Sequence, residues 1–142
     1  MKRALAIASA AATGLLAGGN LDRLAVQLPA FKRIGAQACA DYSRNADLSA
    51  NGLAFYPLEG IAAAALTIAT AATTHKKSAT AAAAFATIGL ALTIKAAPDI
   101  LRVRNLSDDE VELRRAYDGF RFWSTIRGAF QIAAFFASLA SL

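Results

Sequence analysis

The sequence predicts an all-α fold: four transmembrane helices in one antiparallel bundle, with a structured, partly helical connection between spans 1 and 2. Three observations predict it. Of the 142 residues, 56% are hydrophobic and only 18% are charged, whereas soluble domains run near 45–50% and about 25%. The apolar residues gather into four stretches, at about 4–23, 53–74, 78–97 and 120–142. The charged residues fall mostly between those stretches. A bilayer core about 30 Å thick takes about 20 helical residues, so four spans use most of the chain and leave one membrane domain over 1–142. The connections 24–52 and 98–119 then lie on the same side.

The first span follows a basic start, Met1-Lys2-Arg3. A cleaved secretory leader is the other reading of this segment, but three further spans need a bundle partner. Gly14 and Gly18 form a Gly-x-x-x-Gly pair that would let a neighbouring helix approach closely, a second copy of the chain included. Span 2 opens after Asn51-Gly52 and is joined to span 3 by the short turn 74–77, which makes the two antiparallel neighbours. Pro98 is expected to stop span 3, because proline cannot donate a backbone hydrogen bond and disfavours helix before it. Before span 4, Ser107-Asp108-Asp109-Glu110 reads as a capping box, with Leu106 and Val111 as its hydrophobic staple and a helix start at Asp108. Glu110 and Arg114 are spaced for an i, i+4 pair.

Within the first connection, Pro29, Phe31, Ile34 and Ala38 have the spacing of an interfacial amphipathic helix. The polar run 41–52 that follows is placed to act as a lid. The topology resembles that of a bacterial inner-membrane protein, but its orientation signals conflict. The count of basic residues puts the long connections in the cytoplasm, while the signal-like start puts the N-terminus there.

Several function classes are excluded by what is missing. One Cys and one His in the whole chain allow no intrachain disulfide and no zinc or iron–sulfur spacing. His75 sits in a basic turn and is a poor candidate for haem, so no cofactor or metal is expected. There is no phosphate loop or nucleophile elbow. The fifteen Lys and Arg lie mostly at span ends and in the connections, where they meet lipid head groups, and form no aromatic-interleaved patch for nucleic acid.

The charges inside the spans are the informative ones, since each costs about 2.5–3.5 kcal/mol on insertion scales. Glu59 and Arg127 each lie about 10 Å inside their spans at 1.5 Å per residue, Lys95 is near the end of span 3, and Asn20, Asp22 and Arg23 close span 1. Alternating directions bring all of them to the side of the long connections, as a one-sided polar funnel. Trp123, Arg127 and Gln131 recur at i, i+4, i+8, and Tyr56 precedes Glu59 by three. These five, with Lys95 and Arg121 at the mouth, are the candidate ligand-binding residues. Arg127 would anchor an anion, Trp123 and Tyr56 would form aromatic walls, and Glu59 would accept a proton. The structural alternative is a buried Glu59–Arg127 ion pair that sets helix register, with Lys95 paired to Asp99. No catalytic residue is assigned. A pocket for a small amphipathic or anionic molecule and an accessory role in a membrane complex both fit.

The run Tyr42-Ser43-Arg44-x-x-Asp47-Leu48-x-x-x-Gly52-x-x-x-Tyr56-Pro57-x-x-Gly60, with Phe120-x-x-Trp123-x-x-x-Arg127 near the C-terminus, resembles the anthrone-oxygenase-like family. The resemblance implies a small four-helix integral membrane protein. It also implies an alternative function, cofactor-independent oxygenation of an aromatic substrate, although the only His lies on the side away from the funnel.

Overall fold

The computed structural model describes residues 2–107 and 109–142. They form five helices: α1 (Lys2–Ile34), α2 (Ala36–Asn45), α3 (Ala50–Thr74), α4 (Lys77–Val103) and α5 (Glu110–Leu139). Among the described residues there is no strand. The four long helices pack side by side in the cyclic order α1, α3, α4, α5, while short α2 rests on α5 and α4.

Three of these helices, α1, α3 and α4, are long and apolar enough to cross a membrane, as expected of a membrane protein. Helix α5 is not among them, because Arg127 and Gln131 interrupt its apolar half. The distribution of side-chain size supports contact with lipid. The buried positions between the long helices are mainly Ala, Ser and Thr, whereas Leu15 is 73% exposed and Ile94 is 75% exposed. Small residues inside and large apolar residues outside suit helices that associate by close packing in hydrocarbon. Several of the hydroxyls in these helices need no partner helix. Thr13, Thr67 and Thr73 each donate to a carbonyl on their own helix, which satisfies them locally.

Each proline lies inside a helix. Pro98 does not stop the third long helix, which continues to Val103. The extension is held because its last turns bury apolar surface: Val103 joins Ala40, Leu48, Leu113 and Ala116 in a core cluster, with Ile100 and Leu106 packed against it. The start of α5 also differs from expectation. The expected start at Asp108 falls outside the described residues; Asp109 is the N-cap, its carboxylate accepting from the Val111 and Glu112 amides. Leu106 packs on the Leu113 cluster and Val111 is exposed, so these two do not form the expected staple. The Glu110–Arg114 pair forms at 2.9 Å on the exposed face.

The glycine pair of α1 is divided. A Cβ at Gly14 would meet the Phe135 ring at 3.0 Å, while Gly18 has nothing within 4 Å. At this far end of the bundle, Lys76 Nζ donates to the Ser141 carbonyl at 2.7 Å, fastening the α3–α4 turn to the end of α5.

At the other end the two long connections form one small layer. Arg44 donates to the Val103 and Leu106 carbonyls at 3.2 and 2.8 Å, satisfying backbone left open where α4 ends. Tyr117 Oη donates to Ser43 Oγ at 2.9 Å, and Ser43 is fully buried. Burial pushes the Tyr117 phenol from 10.0 up to about 12. Replacing Tyr117 with Phe should destabilise the chain by about 1–3 kcal/mol, the usual range for stranding a buried polar partner. Because the folded state holds the phenol protonated, its contribution is complete below pH 10 and declines as pH rises through about 12. Thermal unfolding in detergent, comparing wild type with Y117F from pH 8 upward, should show the gap closing only at that alkaline end.

Candidate functional site

Irregular backbone at one end of the bundle positions the site. Pro29 lacks an N–H, so the preceding turn of α1 cannot close its usual ladder. Residues Arg23–Gln27 instead form a π-helical segment, with the Leu28 amide bonded to the Arg23 carbonyl. Such widened turns often mark functional positions. Here it carries Arg23, whose Nη2 lies 2.8 Å from Asp47 Oδ1; the two side chains are only 12% and 6% exposed. The Arg23 guanidinium also lies 5.3 Å from the Tyr56 ring centre and 5.6 Å from that of Phe120, within cation–π range of both.

Asp47 is held by the turn between α2 and α3. The Leu48 amide bonds to the Ser43 carbonyl at 2.8 Å, and the Ser49 amide bonds to that of Ala46 at 3.2 Å. Ser49 then caps α3 by accepting from the Gly52 amide. A Cβ at Gly52 would stand 2.5 Å from the carbonyl oxygens of both Ala46 and Asp47. Only glycine lets α3 start this close beneath the turn.

These elements enclose a 320 Å³ cavity lined by Asn20, Arg23 and Gln27 of α1, by Asp47 and Leu48 of the turn, and by Tyr56, Pro57, Glu59 and Gly60 of α3. From α4 come Leu90, Thr93 and Ala97, and from α5 Phe120, Arg127 and Gln131. Asn20 forms part of the lining by donating to Gln131 Oε1 at 2.8 Å and to the Leu16 carbonyl at 2.6 Å. Three buried polar atoms of this lining have no hydrogen-bond partner: Arg127 Nε, Asp47 Oδ2 and Gln27 Oε1. The charges that act on Arg127 are Arg23 and Asp47.

Tyr56, Glu59, Arg127 and Gln131 are thus brought together where the sequence placed them. Lys95 and Trp123 are not. Lys95 is exposed, because it lies two residues, or about 200°, from Thr93, which faces the cavity. Trp123 stacks edge-on against Phe122 at 5.2 Å and does not line the cavity. Four-residue steps drift about 40° each, so Trp123 stands about 80° round α5 from Gln131. Phe120 takes the wall position instead; seven residues before Arg127, it returns to within about 20° of that residue, and that heptad spacing was the available signal. The Glu59–Arg127 and Lys95–Asp99 ion pairs are absent among the described residues. Arg23 was placed at the end of span 1 and Asp47 in the lid run, but nothing in their spacing joined them. Arg121, expected at the mouth, lines a different cavity.

Comparison with protein-family models, with curated proteins and with solved structures finds no match.

Two outcomes follow from this geometry. Arg23→Gln and Asp47→Asn should each destabilise the chain by about 3–5 kcal/mol, since each strands a buried charge, and the double variant should lose less than the sum. Unfolding of the four proteins in one detergent measures that coupling. Gly52→Ala should cost about 1–3 kcal/mol, because backbone rather than a side-chain tip must move; the same unfolding series reads it.

Proposed function

We propose that the chain is a multipass protein of the bacterial inner membrane whose four long helices, α5 included, cross as a bundle and bind a small amphipathic anion in the 320 Å³ cavity. The observation that carries this reading is the buried Arg127 Nε with no partner, facing a cavity whose one buried carboxylate is already committed to Arg23. A half-buried guanidinium whose Nε has no partner is costly, and an anionic guest would offset that cost. The Phe120 and Tyr56 rings give the guest an apolar wall. The Asn20–Gln131 pair provides fixed hydrogen-bonding groups beside it. Leu48 and Asp47, in the turn above α3, act as the lid.

Native mass spectrometry of the chain extracted with its lipids tests the proposal. A bound small molecule should be retained by wild type and by Trp123→Ala, and lost in Arg127→Gln. Empty spectra for wild type, or equal retention by Arg127→Gln, would overturn it.

The resemblance to the anthrone-oxygenase-like family supports a second reading, in which the guest is an aromatic, weakly acidic substrate that is oxygenated without a cofactor. The two rings at the cavity wall favour it. Oxygen uptake by the purified chain with an anthrone, abolished in Arg127→Gln, would support this reading; binding without uptake would leave the chain a binding protein.

A further inference from the structure

A second cavity, of 360 Å³, shares no lining residue with the first. It lies where the last turns of α1, the start of α2 and the first half of α5 meet. Leu28, Phe31 and Tyr117 form an apolar wall, and the charged part of the lining is Lys32, Arg114 and Arg121 with one carboxylate, Asp118. Arg114 is engaged by Glu110 at 2.9 Å. Among the described residues, the side chains of Lys32 and Arg121 have no ion pair or hydrogen bond.

The height of this cavity decides what it would meet. Arg121 follows Phe120, where the apolar half of α5 begins, and Lys32 lies beyond the apolar length of α1. Towards the bundle from those two cations, Val26 is 59% exposed and Phe122 58% exposed, as surface in contact with acyl chains would be. Cations at the edge of the hydrocarbon, above exposed apolar side chains, match the order of a phospholipid: phosphate outward, chains inward. Gly35, with φ of +88°, shapes the opening, turning α2 back over the cavity in a conformation that other residues rarely adopt.

We infer that this cavity is a binding site for one anionic glycerophospholipid, with its phosphate between Lys32 and Arg121 and the upper part of an acyl chain along Leu28 and Phe31. The inference rests on the membrane reading and is independent of the Arg127 cavity. A free phosphate shares the headgroup chemistry but would gain nothing from the apolar wall.

The test is a lipid titration of the full chain in neutral detergent, read by native mass spectrometry. The probes are dioleoyl phosphatidylglycerol, dioleoyl phosphatidylcholine and inorganic phosphate. Phosphatidylglycerol should bind at least several-fold more tightly than phosphatidylcholine, and millimolar phosphate should not displace it. Lys32→Gln and Arg121→Gln should each weaken it about fivefold, and the pair about thirtyfold, at the usual worth of one interfacial cation each. Arg33→Gln removes the same charge from the adjacent position outside the cavity and should change nothing. Both target side chains reach solvent, and the single variants give a reading should the double one fail to fold. Equal binding of the two lipids, displacement by phosphate, or equal losses in Arg33→Gln and the cavity variants would each overturn the inference. Arg127→Gln should leave this titration unchanged, which separates its failure from failure of the first cavity.

Discussion

The Arg23–Asp47 pair is the interaction on which the rest of the open end depends. It joins the π-helical turn of α1 to the turn that starts α3, and its guanidinium lies between a ring of α3 and a ring of α5. One cation of α1 therefore touches three other parts of the chain. Burying it is affordable only because a carboxylate and two π faces are already in place. The same allocation determines the polarity of the cavity. Asp47 is the buried acid of the lining, and its ion pair is with Arg23 and not with Arg127.

The two ends of the bundle are built on different terms. At the far end, hydroxyls bond within their own helices and Lys76 ties the turn to the chain's end. Helices there can pack closely because most hydroxyls bond to carbonyls of their own helix. At the near end the ladders are interrupted by Pro29, Pro57 and Pro98. Larger polar side chains reach between elements here, Asn20 to Gln131 and Arg23 to Asp47. The near end keeps its shape through a few specific bonds: Arg44 to the carbonyls that end α4, Tyr117 to Ser43, and Arg23 to Asp47. The two cavities lie among these bonds, one among the helices and one at the level of the connections.

Much of this was legible in the sequence. The apolar stretches, the helical spacing and the alternation of direction placed Tyr56, Glu59, Arg127 and Gln131 at one end, and those four line one cavity. Periodicity misled where the steps were too coarse. The i, i+4, i+8 series put Trp123 on the face of Gln131, although the accumulated drift turns it aside, and Lys95 entered on depth alone without regard to face. Pro98 was read as a stop because local chemistry disfavours helix there. The burial of Val103 and Ile100 beyond it outweighs that preference.

The sequence by itself determined the helical class, the apolar segments long enough to cross a lipid core, and the end of the bundle that is polar. Those follow from composition and period, which act along the chain. The partner of each charge was decided only by the tertiary structure. Glu59 and Arg127 have opposite signs and similar depth, yet they do not pair; Arg23 and Asp47, separated by a helix and a turn, do. Ion pairing depends on contact within a few ångströms, and contact between distant positions is set by how helices rotate against one another. That rotation is fixed by small residues packing across the bundle. It leaves Arg127 Nε without a hydrogen-bond partner in the cavity wall.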